Sequence, residues 1–333
     1  MIISRTPYRI SFFGGGTDYP IWYNEHGGAV LATSINRYCY ITCRYLPPFF
    51  KHTHRVVYSL IEDVKDVNQI KHPAVRECIK FLRIQEGLEI HHDGDLPARA
   101  GLGSSSSFAV GLLHAFHALR GEMPSRLQLA LEAIHVERDL IRENVGSQDQ
   151  VTAAFGGLNY INFAAGDKIT VQPVTVTIER LQLLQSHLML FFTGFARTAS
   201  EIAAEQIKNT PSRKKELHAM RALVDEALKI LTASGDIRDF GKLLHESWKL
   251  KRSISARISN HHVDDVYETA LAAGAIGGKL LGAGGGGFML LFVEPDKQPV
   301  VRAKLAHLLH VPFAFEALGS QIIFYEPGQA VST

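Results

Sequence analysis

The stretch Asp95-Leu-Pro-Ala-Arg-Ala-Gly-Leu-Gly-Ser-Ser-Ser-Ser-Phe108 decides how the rest of the chain is read. Leu88 to His92 alternates apolar residues into it and predicts a strand. Phe108, Leu112, Phe116 and Leu119 recur at spacings of three and four and predict a helix after it. The stretch is then a glycine- and serine-rich loop that opens a helix. Gly101 and Gly103 allow a bend that a side chain would obstruct. The serines put N–H groups and hydroxyls at the partly positive end of a helix, an anion site suited to phosphate. A plain serine N-cap is the other reading, although four serines in a row exceed what one cap uses. The spacing is not that of a Walker loop, because no lysine follows the glycines. Gly282, Gly284 and Gly287 match a dinucleotide fingerprint by letter count, but Phe288 to Val293 after them reads as a strand where that motif needs a helix.

At 333 residues the chain exceeds what one core usually serves, and two domains are expected. Hydrophobic residues make up 46% and charged residues 20%, an ordinary globular composition. A net charge of +2 gives no electrostatic case for nucleic acid or an anionic membrane as partner. No apolar run approaches a membrane span, and Met1 to Pro7 shows no secretory pattern, so a cytoplasmic protein is expected. Cys39, Cys43 and Cys78 argue against a disulfide framework and for a reducing compartment. Cys39 and Cys43 share a strand face and read as core rather than as metal ligands, since no second ligand pair appears.

Outward from the central stretch, Ile2 to Ser11 reads as a strand that runs into Gly14-Gly-Gly16, with Arg9 and Asp18 flanking the glycines. Ala29 to Tyr45 reads as a long strand, Arg55 to Leu60 as a short one, and His72 to Gln85 as a helix. A helix over about Ser125 to Arg142 shows Leu127, Leu131, Ile134 and Ile141 on one face and carries Glu137. Asp149 follows at a loop-to-helix junction, where an acidic residue is ordinarily a cap. Short strands are expected from Leu158 to about Thr177, and the domain boundary over Ile178 to Ser186, dividing the chain into 1–180 and 181–333. His187 to Thr193 reads as a buried strand, followed by helices near Thr198–Lys208, Arg213–Ala233, Ile237–Ile258 and Val263–Ala273. Five glycines in positions 282–287 imply that something approaches that backbone closely. A helix over about Lys297–His310 and a strand over Gln321–Tyr325 close the chain. Strands and helices without regular alternation predict two α+β domains. The glycine-rich loops at 14–16, 101–103 and 282–287, converging on one cleft, would make a site for a phosphorylated ligand.

Three segments in order resemble the motifs of the GHMP kinase superfamily: Pro7 to Tyr19, Leu96 to Ser107 and Lys279 to Phe288. The resemblance covers nearly the whole chain. It implies ATP-dependent phosphorylation of a small-molecule hydroxyl, an N-terminal domain with a left-handed β-α-β unit, and a ferredoxin-like C-terminal domain. It implies ATP held by Pro97, Gly101, Leu102, Gly103 and Ser104 to Ser107, with Mg²⁺ at Ser105 and Glu137. Gly146-Ser-Gln-Asp-Gln150 is similar to the sugar-kinase segment that carries the catalytic Asp, which implies Asp149 as catalytic residue and Arg9 as its cationic partner.

Gly14-Gly-Gly-Thr-Asp-Tyr19 departs from the Gly-Glu-His-Thr-Asp-Tyr of galactokinases: Asp18 is retained and two side chains are gone. With Thr193 to Ser200 and Trp248 to Lys251, this form resembles the bacterial heptose kinases. Those phosphorylate O1 of D-glycero-D-manno-heptose 7-phosphate for surface polysaccharide precursors. The resemblance then implies substrate contacts at Gly15, Gly16, Thr17, Asp18, Gly284 and Gly285, with Arg197 for the distal phosphate. The expected partner is a small-molecule sugar phosphate. Fucokinase-type and galactokinase-like sugar kinases are the rivals. A non-catalytic sugar or nucleotide sensor would lack the carboxylates, whereas Asp149, Glu137 and Ser105 are all present.

Overall fold

The structure, a computed structural model, describes residues 1–98, 100–194 and 199–326. In chain order the first half comprises β1 (Ile2–Phe13), α1 (Pro20–His26), β2 (Gly28–Tyr45), β3 (His54–Val57), β4 (Ile61–Val64), α2 (Pro73–Phe81), β5 (Leu88–Gly94), α3 (Ser104–Leu119), α4 (Arg126–Ile134), α5 (Gln148–Phe155), β6 (Leu158–Ala164) and β7 (Lys168–Pro173). The second half comprises α6 (Ile178–Ser186), β8 (Leu188–Gly194), α7 (Ala199–Asn209), α8 (Lys214–Thr232), α9 (Arg238–Ile254), α10 (His261–Ala272), β9 (Ala275–Leu280), β10 (Gly287–Val293), α11 (Gln298–Lys304), β11 (Leu309–His310), β12 (Phe315–Glu316) and β13 (Gln321–Tyr325).

Two sheets form. The first runs β13-β1-β2-β5-β3-β4, with β6 and β12 also on β2 and β7 on β6. β2 is long enough to pair with β6 through its first half and with β5 through its second. β3 and β5 pair in parallel, joined by a crossover that contains α2. The second sheet is antiparallel with order β11-β8-β10-β9. Counted within this half, that is strand order 4-1-3-2 in a β-α-β-β-α-β chain, the ferredoxin-like arrangement.

The apolar run of β10 is buried on both sides, and each side has a different duty. Phe288, Leu290 and Phe292 join the larger core, which continues from the first sheet through Phe12 and Phe13. Met289, Leu291 and Val293 join a second core with Trp248, Val263 and Tyr267. β8 divides in the same way, with Leu188 and Leu190 on one side and Met189 and Phe191 on the other. Phe240 of α9 stands edge-on to Phe12 and Phe13 at 5.4 and 5.1 Å, which locks the halves together where the site lies.

Several elements differ from the sequence reading. The stretch 178–186 is a helix, α6, started by the Thr177 side chain on Arg180 N–H. The last strands of the chain do not stay with the second sheet: β12 pairs with β2 and β13 with β1. α3 is buried nearly all round, thirteen of its 16 residues, because elements cover it on every side. The helix expected over 125–142 is α4 followed by a π-helical stretch, 135–140. Leu127 and Leu131 are exposed there, and Leu129, Ala130, Ala133 and Ile134 make the buried face. The wider turn places Glu137 fully inside. All three cysteines are free and buried, as core residues. Among the described residues no helix is long and apolar enough to cross a membrane.

Candidate active site

Arg9 lies near the end of β1 and is 4% exposed. Its Nε donates to Asp149 Oδ1 and its Nη2 to Asp149 Oδ2, both at 2.7 Å. Its Nη1 donates to the Gly101 carbonyl at 2.7 Å. Asp149 sits in the first turn of α5, and the N-cap of that helix, Ser147, makes no side-chain cap bond. The expected alternative, Asp149 as a helix cap, does not hold, because both carboxylate oxygens are engaged by Arg9. An Arg fork on a carboxylate fixes both groups in one plane.

The phosphate-loop stretch packs against this pair. Arg9 N–H donates to the Leu102 carbonyl at 3.1 Å. Gly103 is the N-cap of α3 in a left-handed conformation, and a Cβ there would stand 3.4 Å from the Asp149 carboxylate. No side chain caps α3. Ser105, Ser106 and Ser107 all donate elsewhere, so their reading as excess caps is overturned. Ser107 Oγ donates to the Pro7 carbonyl at 2.9 Å and Leu102 is 2% exposed, so these two side chains belong to the scaffold. Pro97 is exposed at the rim of the stretch. The first turn of α3 therefore receives no side-chain cap from Gly103, Ser105, Ser106 or Ser107, as an anion site requires.

Ser105 Oγ and Ser106 Oγ donate to Glu137 at 2.5 and 2.7 Å, and Gln150 Nε2 donates to it at 2.6 Å. Glu143 Oε2 lies 3.5 Å from Ser105 Oγ. Burial pushes the Glu137 carboxyl up to about 7, against the three hydrogen bonds that favour its charge. Among the described residues it makes no ion pair. A buried carboxylate with oxygen donors beside a phosphate loop fits a hard divalent cation that completes its shell with phosphates and water. Among the described residues no group of three acidic, histidine or cysteine side chains offers a metal site without such phosphates.

The first-motif loop is held from within. Thr17 is fully buried: its Oγ1 lies 2.8 and 3.0 Å from the Gly14 and Ala29 carbonyls, which share its one proton, and accepts from Ala29 N–H at 3.1 Å. The expectation that Thr17 holds substrate is therefore corrected; it closes the loop. Asp18 is 1% exposed, with Oδ1 accepting from Gly16 N–H at 2.9 Å and Oδ2 from Gln148 N–H at 3.3 Å. Burial raises its pKa, and the nearby Asp149 adds to the shift. A Cβ at Gly146 would meet Asp18 Oδ2 at 1.9 Å, so glycine is required beside it. Gly15 borders Ser11 and Gln148, with its Cβ position 3.6 and 3.5 Å from their polar ends. Gly16 faces Gln206.

What approaches the third glycine loop is the chain itself. A Cβ at Gly282 would meet Gly101 Cα at 2.5 Å, and one at Gly287 would meet the Ala100 carbonyl at 2.4 Å. Gly284 packs on the Ile258 backbone and Gly285 faces the Ile202 side chain. The expectation that Gly284 and Gly285 are glycines in order to admit substrate is corrected accordingly. Two residues that sequence reasoning left out of the site stand close by: Lys279 at the end of β9 and Lys251 in α9, both buried. The signal the sequence offers for Lys279 is its place in a strand of small and apolar residues. Arg197 lies outside the described residues.

The arrangement can seat an anion at α3, a cation at Glu137 and a hydroxyl at Asp149, side by side. That is the composition of a phosphoryl-transfer site. The GHMP kinases N terminal domain family matches residues 68–157, and the GHMP kinases C terminal family matches residues 219–310. The chain belongs to the GHMP kinases. It is an ATP-dependent phosphotransferase acting on sugars, in a family that uses ATP with a divalent metal. It is similar to a D-glycero-alpha-D-manno-heptose 7-phosphate kinase of Campylobacter jejuni, with 29% identity over 89% of this chain and 91% of that protein. A galactokinase of Pyrococcus furiosus is 26% identical over 95% of this chain and 96% of its own length. Among solved structures, a D-glycero-D-manno-heptose 1-phosphate kinase from Bacteroides thetaiotaomicron superposes with a TM-score of 0.78, at 25% identity, over 96% of this chain and 98% of the other.

Proposed function

We propose that the protein transfers the γ-phosphoryl group of ATP to O1 of D-glycero-D-manno-heptose 7-phosphate and forms the 1,7-bisphosphate, a precursor of surface polysaccharide. The observation that carries the reading is the Arg9–Asp149 fork beside the uncapped N-terminus of α3. Similarity to two heptose phosphate kinases over nearly the full chain supports the choice of sugar.

In this reading the sugar O1–H donates to Asp149, which takes the proton as O1 bonds to the γ-phosphorus. The bond from that phosphorus to the β,γ-bridging oxygen breaks, and its electron pair leaves with ADP. Arg9 keeps Asp149 aligned, and through Gly101 it fixes the distance from the carboxylate to the phosphate loop. The α3 N–H groups hold the ATP phosphates. Ser105 and Glu137 would hold Mg²⁺, which when bound offsets charge on the β and γ oxygens. Asp18 holds the first-motif loop to the Gln148 backbone and keeps lone pairs for a sugar hydroxyl. The substrate contacts at Gly15 and Gly16 rest on the resemblance, since Gln148 Nε2 and Gln206 Nε2 stand 3.5 and 2.8 Å from where a Cβ would lie at the two glycines. Arg197 is the proposed partner of the distal phosphate, and 1–180 and 181–333 the proposed domains.

The test is a coupled ADP-release assay across heptose 7-phosphate, free mannoheptose, L-fucose, galactose and mevalonate. The heptose phosphate is expected to give the highest kcat/KM. A value no better than that for fucose or galactose would defeat the substrate and leave the sugar-kinase class.

A further inference from the structure

Two buried ammonium groups stand beside the Arg9–Asp149 pair, and among the described residues neither has a carboxylate partner. Lys251 is 6% exposed, and its Nζ donates to the Leu280 carbonyl at 3.2 Å and to the Gly282 carbonyl. Lys279 is 3% exposed and its Nζ donates to the Phe12 carbonyl at 2.8 Å. Both feel the charges of Arg9 and Asp18. Gly282 packs on Gly101, and Gly101 accepts from Arg9, so Lys251 is two residues removed from the catalytic guanidinium. Phe12 lies just ahead of the glycine loop that carries Asp18.

Carbonyl oxygens satisfy the N–H donors of an ammonium group but bring no net charge. Burying such a group without a counter-charge is costly, and folds retain it chiefly where an anion comes to meet it. The charged groups facing this spot are Arg9, Lys251 and Lys279 against Asp18 and Asp149. With both lysines protonated, three cations against two carboxylates leave one positive charge in excess. Burial, then Arg9, pulls Lys251 down to about 8, and burial with Lys251 and Arg9 lowers Lys279. An ammonium has three donors, so Lys279 keeps two and Lys251 one for a ligand.

We propose that Lys251 and Lys279 form a seat for the phosphoryl group while it moves between nucleotide and sugar. The inference rests on the sugar-kinase reading but not on the choice of heptose, because the seat faces the point of transfer rather than the far end of the substrate. Its bonds go to the non-bridging oxygens of the moving group; the proton still goes to Asp149 and the leaving electron pair to ADP. Lys251 comes from α9, so the second half of the chain would complete a transfer site otherwise built on the first.

The test uses ADP, Mg²⁺ and aluminium fluoride, a mimic of the phosphoryl group in transit, with no sugar present. Calorimetry on the wild type is expected to show ADP binding about tenfold tighter with aluminium fluoride than without, the factor one lost charged contact represents. Lys251→Arg should keep that gain. Lys251→Met should lose it while its affinity for ADP alone stays within about twofold. Persistence of the gain in Lys251→Met, or its absence in the wild type, would overturn the seat. Because no sugar enters, a failed substrate panel and a failed seat are separate results.

A second readout covers the case in which Lys251→Met does not fold. With whichever sugar is turned over, wild-type kcat should fall above about pH 8 as the Lys251 ammonium loses its proton, and Lys251→Arg should move that limb upward. A lysine that only ties carbonyls predicts the opposite trend in the fold. Its pKa is lowered from 10.5, so stability rises with pH from about 8 toward 10.5 and no rate is lost. Identical alkaline limbs in the two proteins would reject the proposal.

Discussion

Arg9 joins Asp149 by two parallel hydrogen bonds of 2.7 Å and with its remaining nitrogen binds the Gly101 carbonyl. In the proposed function, one side chain thereby sets the spacing between the carboxylate that would take the hydroxyl and the loop that would hold the phosphates. Phosphoryl transfer depends on that spacing more than on covalent help, since its transition state asks mainly for alignment and charge neutralisation.

Arg9→Lys should therefore behave unlike a conservative change. Lysine keeps the charge but cannot span both Asp149 oxygens and the Gly101 carbonyl. Loss of proton acceptance in Asp149→Asn should lower kcat by about 10²–10⁴-fold. Arg9→Lys should fall between that variant and the wild type. ATP affinity, measured by calorimetry, should stay near wild type in Asp149→Asn. Near-normal kcat in folded Asp149→Asn would remove this residue from the chemistry.

Glu137→Gln should raise the Mg²⁺ concentration that half-saturates activity, and Ser105→Ala should do so less. The carboxylate supplies the charge, whereas the hydroxyl supplies one neutral ligand. A Mg²⁺ titration at fixed ATP reads both. A carboxylate present only to bond Ser105, Ser106 and Gln150 predicts something else: Gln retains part of that network, and the Mg²⁺ requirement does not move.

Arg9 and Ser105 lie in the first two of the three ordered motifs, Asp149 is legible in the segment 146–150 and Glu137 from the family resemblance, and the structure brings Arg9 against Asp149 and Ser105 against Glu137. What stayed hidden depends on contacts between distant segments. Gln150 meets Glu137, which lies in a π-helical stretch that the apolar periodicity does not announce. Thr17 looks like a substrate ligand in sequence, yet Ala29 consumes its hydroxyl. The glycines at 282 and 287 announce a close approach but not what approaches, and the answer, Gly101 and Ala100, lies far away in the chain. The split of β10 into two core faces is likewise invisible in a continuous apolar run, because period-2 alternation vanishes when both faces are covered.

Gly146→Ala should disturb the site through Asp18. Its new methyl would lie 1.9 Å from Asp18 Oδ2, while an added Cβ at Gly235 meets nothing within 4 Å. Relief requires moving the Asp18 carboxylate or the 146–148 backbone, and overpacking of this kind destabilises by about 1–3 kcal/mol. Gly146→Ala should lower Tm and raise the sugar KM, with Gly235→Ala close to wild type in both. Equal Tm values for the two variants would show that the loop yields without effect.

His117 offers a test of the scaffold away from the cleft. It lies on α3 with its side chain 5% exposed, Nδ1 2.7 Å from Glu122 and Nε2 2.7 Å from Glu132. Burial alone would lower its pKa, but the hydrogen bonds to Glu132 and Glu122 prevail and raise it above 6.5. The folded state therefore binds the proton more tightly than the unfolded chain. The resulting stability is fully present below about pH 6.5 and is lost as pH rises through the folded value. His117→Gln keeps a donor and an acceptor but carries no charge. Its Tm deficit against the wild type should be large near pH 6 and shrink toward about pH 9, where both side chains are neutral. Circular dichroism melts at the two pH values read the difference, and a deficit that is the same at both would mean that His117 contributes packing rather than an ion pair.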